Sequence, residues 1–105
     1  MNKTPSPEVV VYWRPGCPFC SSLRGQLRRA GVPTREIDIW ADPAAAAEVR
    51  RHAGGNETVP TVVVGDDAVV NPSAKVVVAL ATRAGIELVE PTIWWSQRRA
   101  RRRHE

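Results

Sequence analysis

Glu8-Val9-Val10-Val11-Tyr12-Trp13-Arg14-Pro15-Gly16-Cys17-Pro18-Phe19-Cys20 is the stretch on which the reading of this 105-residue chain turns. Its first six residues are dominated by β-branched and aromatic side chains, the composition of a central strand, and the run stops at the breaker cluster Arg14-Pro15-Gly16. From Pro18 to Ala30 the pattern changes to that of an amphipathic helix. Leu23, Leu27 and Ala30 fall at i, i+4 and i+7, with Arg24, Arg28 and Arg29 toward solvent. Gly31 and Pro33 end that helix. Two cysteines therefore stand where a strand passes through a tight loop into a helix.

The rest of the chain supplies the frame. Thr34 to Trp40 alternates polar and apolar residues and predicts a second strand. Asp42-Pro43 is an N-cap followed by proline at the first helical position, and the helix it opens carries Ala44 to Ala47, small enough to pack closely on a sheet, and runs to Arg51 or His52. Thr61 to Val64 is a continuous apolar strand, Gly65-Asp66-Asp67 a hairpin turn, and Ala68-Val69-Val70 the return. Ser73 caps a last helix, Ala74 to Ala84, closed by Gly85. The order βαβαββα predicts an α/β fold, a mixed four-stranded sheet flanked by helices on both faces. One domain is expected over residues 1–85, followed by a C-terminal extension over residues 86–105 that ends in an Arg-rich tail.

Charge is misleading until it is located. Residues 1–97 carry ten Lys plus Arg and ten Asp plus Glu, whereas residues 98–105 hold five Arg and one Glu, so the whole net charge of +4 sits in the last eight residues. Trp94 and Trp95 beside Arg98–Arg103 suit stacking and phosphate contact. A charge run without a folded basic face is nevertheless a weak footprint, so docking on nucleic acid or membrane through this tail is not the favoured reading. No segment reads as a signal peptide or reaches the roughly 20 apolar residues of a membrane helix, and a cytoplasmic monomer is expected.

Cytoplasmic thiols are kept reduced, so a Cys-x-x-Cys pair there points to reactive or metal-binding cysteines rather than a staple. A zinc site needs two more ligands, and only His52 and His104 remain, so no metal is expected. A disulfide closing four residues constrains little chain entropy. Thiol chemistry is the better reading. Cys17 falls where unpaired N–H groups and the positive end of a helix favour an anion, and Cys20 lies one turn further on, within reach to close a disulfide. Cys17 is thus the candidate nucleophile and Cys20 the resolving thiol. Arg14, three residues before Cys17, can add positive charge near the sulfur or hold a substrate carboxylate. His52, at a helix end beside Arg50 and Arg51, reads as a surface or capping residue and receives no role.

Thr58-Val59-Pro60 is the second informative element. A cis Pro60 would present the Val59 backbone beside Cys17 for a substrate to pair against as an added strand does, although local sequence alone favours the trans form.

Tyr12 through Cys17-Pro18-Phe19-Cys20, with Asn56-Glu57-Thr58-Val59-Pro60-Thr61 downstream, resembles the glutaredoxins of the thioredoxin-like fold. Gly54 to Val62, followed by Val70-Asn71-Pro72-Ser73-Ala74, is similar more specifically to the mycoredoxins and related actinobacterial proteins. The likeness spans about residues 8–84. It implies a cis Pro60, a nucleophilic Cys17, no bound cofactor, and a low-molecular-weight thiol, mycothiol or glutathione, as cosubstrate. Candidate thiol- and substrate-binding residues are Arg14, Phe19, Thr58, Val59, Pro60, Asn71 and Ser73. Glutaredoxins typically carry a Gly-Gly-Cys/Ser-Asp-like turn for glutathione where this chain reads Asn71-Pro72-Ser73, which shifts the expectation toward mycothiol.

The function so implied is a thiol-disulfide oxidoreductase that reduces mixed disulfides between proteins and a small thiol. An alternative is a dithiol redoxin that delivers electrons to an enzyme such as ribonucleotide reductase and is recycled by a flavoprotein such as thioredoxin reductase.

Overall fold

The computed structural model describes residues 7–89. Trp94, Trp95 and the basic run Arg98–Arg103 lie outside the described residues. Seven elements follow in the expected order: β1 (Val9–Trp13), α1 (Pro18–Arg29), β2 (Thr34–Asp38), α2 (Pro43–His52), β3 (Thr61–Val64), β4 (Asp67–Val70) and α3 (Ala74–Arg83). The four strands form one sheet in the order β2-β1-β3-β4. β1 pairs in parallel with β2 and antiparallel with β3, and β3 pairs antiparallel with β4. Among the described residues, no helix is long and apolar enough to cross a membrane.

Two layers of apolar side chains hold the sheet between its helices. On one face Val9 and Val11 of β1 and Val62 and Val64 of β3 meet Leu23 and Leu27 of α1 and Val77 and Ala81 of α3. On the other, Ala45, Ala46 and Val49 of α2 pack with Ile39, Tyr12 and Ile37. Val11 and Tyr12 go to opposite faces because successive strand residues alternate, which is why β1 must be apolar almost throughout. The alanine run acts as expected at two of its four positions, since Ala45 and Ala46 are buried while Ala44 and Ala47 are exposed.

The differences from the expected elements have local causes. Ala30, expected on the buried face of α1, is its exposed C-cap, and Gly31 at φ +79° turns the chain before another apolar position can form. Arg24, expected in solvent, is half-buried: its guanidinium lies 4.2 Å from the Trp13 ring centroid and its Nε donates to Glu36 at 2.9 Å. A long side chain can cover an apolar surface while its charged head finds a carboxylate. β2 stops at Asp38 rather than Trp40, because Asp38 Oδ1 accepts the Trp40 N–H at 2.9 Å and bends the backbone. β4 begins one residue earlier than expected, at Asp67, and α3 ends at Arg83 with Ala84 as its cap.

Ile86 and Val89, assigned from sequence to the C-terminal extension, lie against the body. The Ile86 side chain packs on the core beside α3, and Val89 N–H donates to the Gly31 carbonyl at 2.7 Å. A Cβ on Gly31 would fall 1.9 Å from the Val89 oxygen, whereas one on Gly85, also at positive φ, would meet open space. Gly85→Ala should therefore cost only the backbone strain, about 1 kcal/mol. Gly31→Ala should cost more, because it also displaces the Val89 backbone, and parallel denaturant melts of the two variants will measure the difference.

Candidate active site

Strand register decides where the functional segments emerge. Trp13 is opposite Asp38 in the parallel pair, Tyr12 opposite Thr61 in one antiparallel pair, and Thr61 opposite Val70 in the other. The segments that leave β1, leave β2, enter β3 and leave β4 consequently meet at one end of the sheet. Those segments carry Arg14–Cys20, Ile39–Asp42, Thr58–Pro60 and Asn71–Ser73.

Cys17 is the N-cap of α1. Its backbone is extended, and its sulfur accepts the Cys20 N–H at 3.2 Å, filling with a thiol the place that Ser or Asp more often occupies. Pro18 follows at the first helical position, where no intrahelical donor is needed. Gly16, at φ +77°, permits the turn that delivers Cys17 to the cap. Both cysteines are free thiols, Cys17 with 6% of its surface exposed and Cys20 with none.

The environments of the two sulfurs are unequal. Burial pushes the Cys20 thiol up to about 11, with the hydrogen bond to Cys17 acting in the same direction and the Arg14 backbone and charge opposing it. Cys20 therefore holds its proton at neutral pH and faces the Cys17 sulfur as a neutral thiol.

On the other side of Cys17 lies the turn before β3. The Val59–Pro60 peptide bond is cis, as the resemblance implies and contrary to the local preference for trans. The Val59 carbonyl oxygen is 3.9 Å from Cys17 Sγ. Pro60 is buried; its carbonyl accepts the Asn71 N–H at 2.7 Å, while Thr61 Oγ1 donates to the Thr58 carbonyl at 2.7 Å. Asn71 adopts φ +52°, a conformation asparagine tolerates better than most residues, and so stands beside the cis-proline turn. Ser73 Oγ is occupied in accepting the Val76 N–H at 3.3 Å and caps α3.

Two candidates are placed differently from the simplest expectation. The Arg14 guanidinium lies 5.4 Å from the Trp40 ring centroid and donates from Nη1 to the Pro15 carbonyl at 3.1 Å, so its described contacts are with those groups rather than with the Cys17 sulfur. Phe19 is 68% exposed and projects from the first turn of α1. Sequence reasoning missed Trp40, which it left as the last residue of a strand. An aromatic residue two positions after Asp38, whose side chain can close an Asx turn, was the available signal. His52, given no role, pairs with Glu48 at 3.1 Å, and Glu48, held mainly by Arg51 and then by His52, titrates below the usual carboxylate range.

A four-stranded βαβαββα sheet with a Cys-x-x-Cys at the start of its first helix defines a protein of the thioredoxin-like fold. The comparisons narrow that class. A glutaredoxin family model matches residues 9–69, and the chain belongs to the glutaredoxin family, whose members are thiol oxidoreductases that use a small thiol as cosubstrate. It is 38% identical over 60 residues to a glutaredoxin of Pseudomonas aeruginosa, covering 57% of this chain and 70% of that protein. It is also 38% identical over 67 residues to a Mycobacterium tuberculosis protein whose name assigns it provisionally to the glutaredoxins, covering 63% and 80%. Among solved structures, a glutaredoxin from Archaeoglobus fulgidus aligns with a TM-score of 0.60 at 28% identity, covering 70% of this chain and 85% of that one.

The raised Cys20 pKa makes stability depend on pH. Its ordinary value is 9.0 and its folded value about 11, so the native state keeps a proton that the unfolded chain has lost. That contribution is complete below pH 9 and disappears as pH rises through about 11, by an amount on the order of 1 to 3 kcal/mol. Denaturant unfolding of the reduced protein at a series of alkaline pH values should show the decline in the native sequence and a weaker one in Cys20→Ser.

Proposed function

We propose that this protein reduces mixed disulfides between proteins and a low-molecular-weight thiol, with Cys17 as the attacking sulfur. The observation that carries the reading is the position of Cys17 Sγ, held at the α1 cap by the Cys20 N–H at 3.2 Å and 3.9 Å from the carbonyl that precedes cis-Pro60. The sulfur stands at a helix start and meets the Cys20 N–H there, and the Val59 backbone offers an edge against which an extended substrate can pair.

In the first step Cys17 thiolate attacks the small-thiol sulfur of the mixed disulfide. The protein–small thiol S–S bond breaks, a Cys17–small thiol S–S bond forms, and the protein cysteine leaves as thiolate and takes up a proton. A second small thiol then attacks this intermediate as its thiolate, releases Cys17 and leaves as the small-thiol disulfide, so one free small thiol is oxidised for each protein cysteine restored. Cys20, fully buried and protonated, is spared in this route. It competes only by attacking the Cys17 intermediate, which closes the Cys17–Cys20 disulfide.

Mycothiol is the small thiol we assign, and a reducing cytoplasm is the setting. Residues 71–74 read Asn-Pro-Ser-Ala, with no carboxylate to receive the amine of glutathione, and the Ser73 hydroxyl is engaged in capping α3. The mycobacterial relative supports the same direction. Arg14, Phe19, Thr58, Val59, Pro60, Asn71 and Ser73 are the binding residues in this proposal, carried on segments that share one end of the sheet with Cys17.

Replacing Cys17 by Ser should abolish reduction of a mycothiolated protein. Cys20→Ser should retain it within about tenfold, equivalent to about 1.4 kcal/mol of barrier. The assay is single-substrate de-mycothiolation followed by mass spectrometry. Loss of all activity in Cys20→Ser, together with reduction of the native protein by thioredoxin reductase, would instead establish the dithiol route. Faster turnover with glutathione than with mycothiol would overturn the small-thiol assignment.

A further inference from the structure

We infer that a cleft at the end of the sheet opposite Cys17 is the seat of the chain's own C-terminal segment, which fills it with the indole of Trp95. The occupant is Thr92-Ile93-Trp94-Trp95, and the contact does not depend on the thiol chemistry.

The first observation is the cleft. It holds about 210 Å³ and is lined by Pro7, Glu8, Pro33, Thr34, Arg35 and Ile86. Val9 is opposite Thr34 where β1 and β2 begin, so the cleft lies at the far end of the sheet from the β1 exit that leads to Cys17. β2 is an edge strand, with no strand on its outer side among the described residues. Two proline rings and the Ile86 side chain give the cleft apolar walls, and Arg35 gives it a flat one. Arg35 Nε and Nη2 both donate to Glu8 Oε2, at 3.3 and 3.0 Å, which fixes the guanidinium plane by its edge. A guanidinium held by its edge presents its face, and an aromatic ring stacks there.

The second observation is where the described chain ends. Val89 N–H donates to the Gly31 carbonyl at 2.7 Å, and the Val89 oxygen approaches Gly31 so closely that a Cβ there would fall 1.9 Å from it. Gly31 is two residues before Pro33, which lines the cleft. The chain is therefore delivered beside the cleft. Trp95 is six residues past Val89, a reach of about 20 Å when extended, against about 7 Å for the two residues from Gly31 to Pro33. A segment tethered this closely has a local concentration on the order of millimolar, which a free partner lacks.

The third observation is the composition of the segment. Glu90 precedes Pro91, which steers it away from the helical region, and Thr92-Ile93-Trp94-Trp95 is β-branched and aromatic throughout, the composition of an extended chain. Alternate residues of such a chain share a face, so Ile93 and Trp95 point one way and Thr92 and Trp94 the other. The face with two apolar side chains gains more by burial, which selects Trp95 for the cleft. A seated indole needs an acceptor for its N–H, and the Glu8 carboxylate lines the same cleft. Seating Trp95 here holds the start of the basic run Arg98–Arg103 within about 10 Å of the cleft, at the end away from the Cys17 entrance.

Nuclear Overhauser spectra of the full-length reduced protein test this directly, with the indole resonances assigned through Trp94→Phe and Trp95→Phe. The Trp95 ring protons should show contacts to the Ile86 methyl groups and to the Pro33 ring. A double-mutant cycle read by denaturant unfolding gives the second measurement. Trp95→Ala should lower the folding equilibrium constant about fivefold to tenfold, and Trp94→Ala less than about twofold. In an Arg35→Leu background the effect of Trp95→Ala should shrink about threefold, because the guanidinium face is gone. Absence of contacts between Trp95 and the cleft, contacts from Trp94 in its place, or a Trp95→Ala effect undiminished by Arg35→Leu would overturn the inference. So would contacts found only between copies in a mixture of labelled and unlabelled protein, since the occupant would then be a second molecule. None of these readouts uses thiol exchange, so the seat and the reduction chemistry stand or fall separately.

Discussion

The hydrogen-bonded register of β1 is the constraint on which the rest of this structure depends. β1 is the only described strand flanked by one parallel and one antiparallel neighbour, and this mixed pairing fixes which chain ends share an edge of the sheet. An antiparallel neighbour brings the entrance of β3 beside the exit of β1, and a parallel neighbour brings the exit of β2 to the same place. Because side chains alternate along a strand, a slip of one residue would turn Val9 and Val11 away from α1 and α3 while shifting the Cys17 loop against the cis-Pro60 turn. The apolar core and the active site are therefore specified by the same ladder: burial of Val11 against Leu27 and approach of Val59 to Cys17 are satisfied by a single register.

The two cysteines, alike in sequence, are separated chemically by depth. Cys17 sits at the junction and caps the helix with its sulfur; Cys20 lies one turn inside, with no exposed surface, where burial disfavours its charged form. The arrangement orders the chemistry without a third residue. The less buried sulfur is the one that meets a backbone N–H, and the deeper sulfur keeps its proton beside it. Exchange proceeds best when the attacking thiol is ionised and the reserve thiol is not, since two adjacent thiolates would repel.

Much of this was legible in the chain. Element order, the caps at Asp42 and Ser73, the proline at the start of α1 and the placement of Cys17 at a helix start all follow from local rules, and all are present. What was not legible is tertiary. Local preference makes a Val-Pro bond trans, and only the surrounding fold selects cis at Pro60. Arg24 has the position of a solvent-facing helix residue, yet the Trp13 ring and the Glu36 carboxylate brought by neighbouring strands draw it inward. Trp40 continues the alternation of β2, and the Asp38 side chain takes it out of the strand by a hydrogen bond that no periodicity encodes. Each miss has the same origin: a side chain met a partner distant in sequence, or its own backbone, more favourably than the local pattern allowed for.

The same separation between local and tertiary information bears on specificity. The sulfur chemistry is written in four consecutive residues, whereas the surfaces that decide what reaches the sulfur are assembled from segments far apart. On the β4 side, Asn71 meets the Pro60 carbonyl and Ser73 is occupied with its helix, leaving polar backbone and few charges. On the β2 side, the Arg14 guanidinium lies against the Trp40 ring. The turn geometry on one flank and the cation held against an aromatic ring on the other are both products of tertiary structure, which is why neither surface can be read from the Cys-x-x-Cys run.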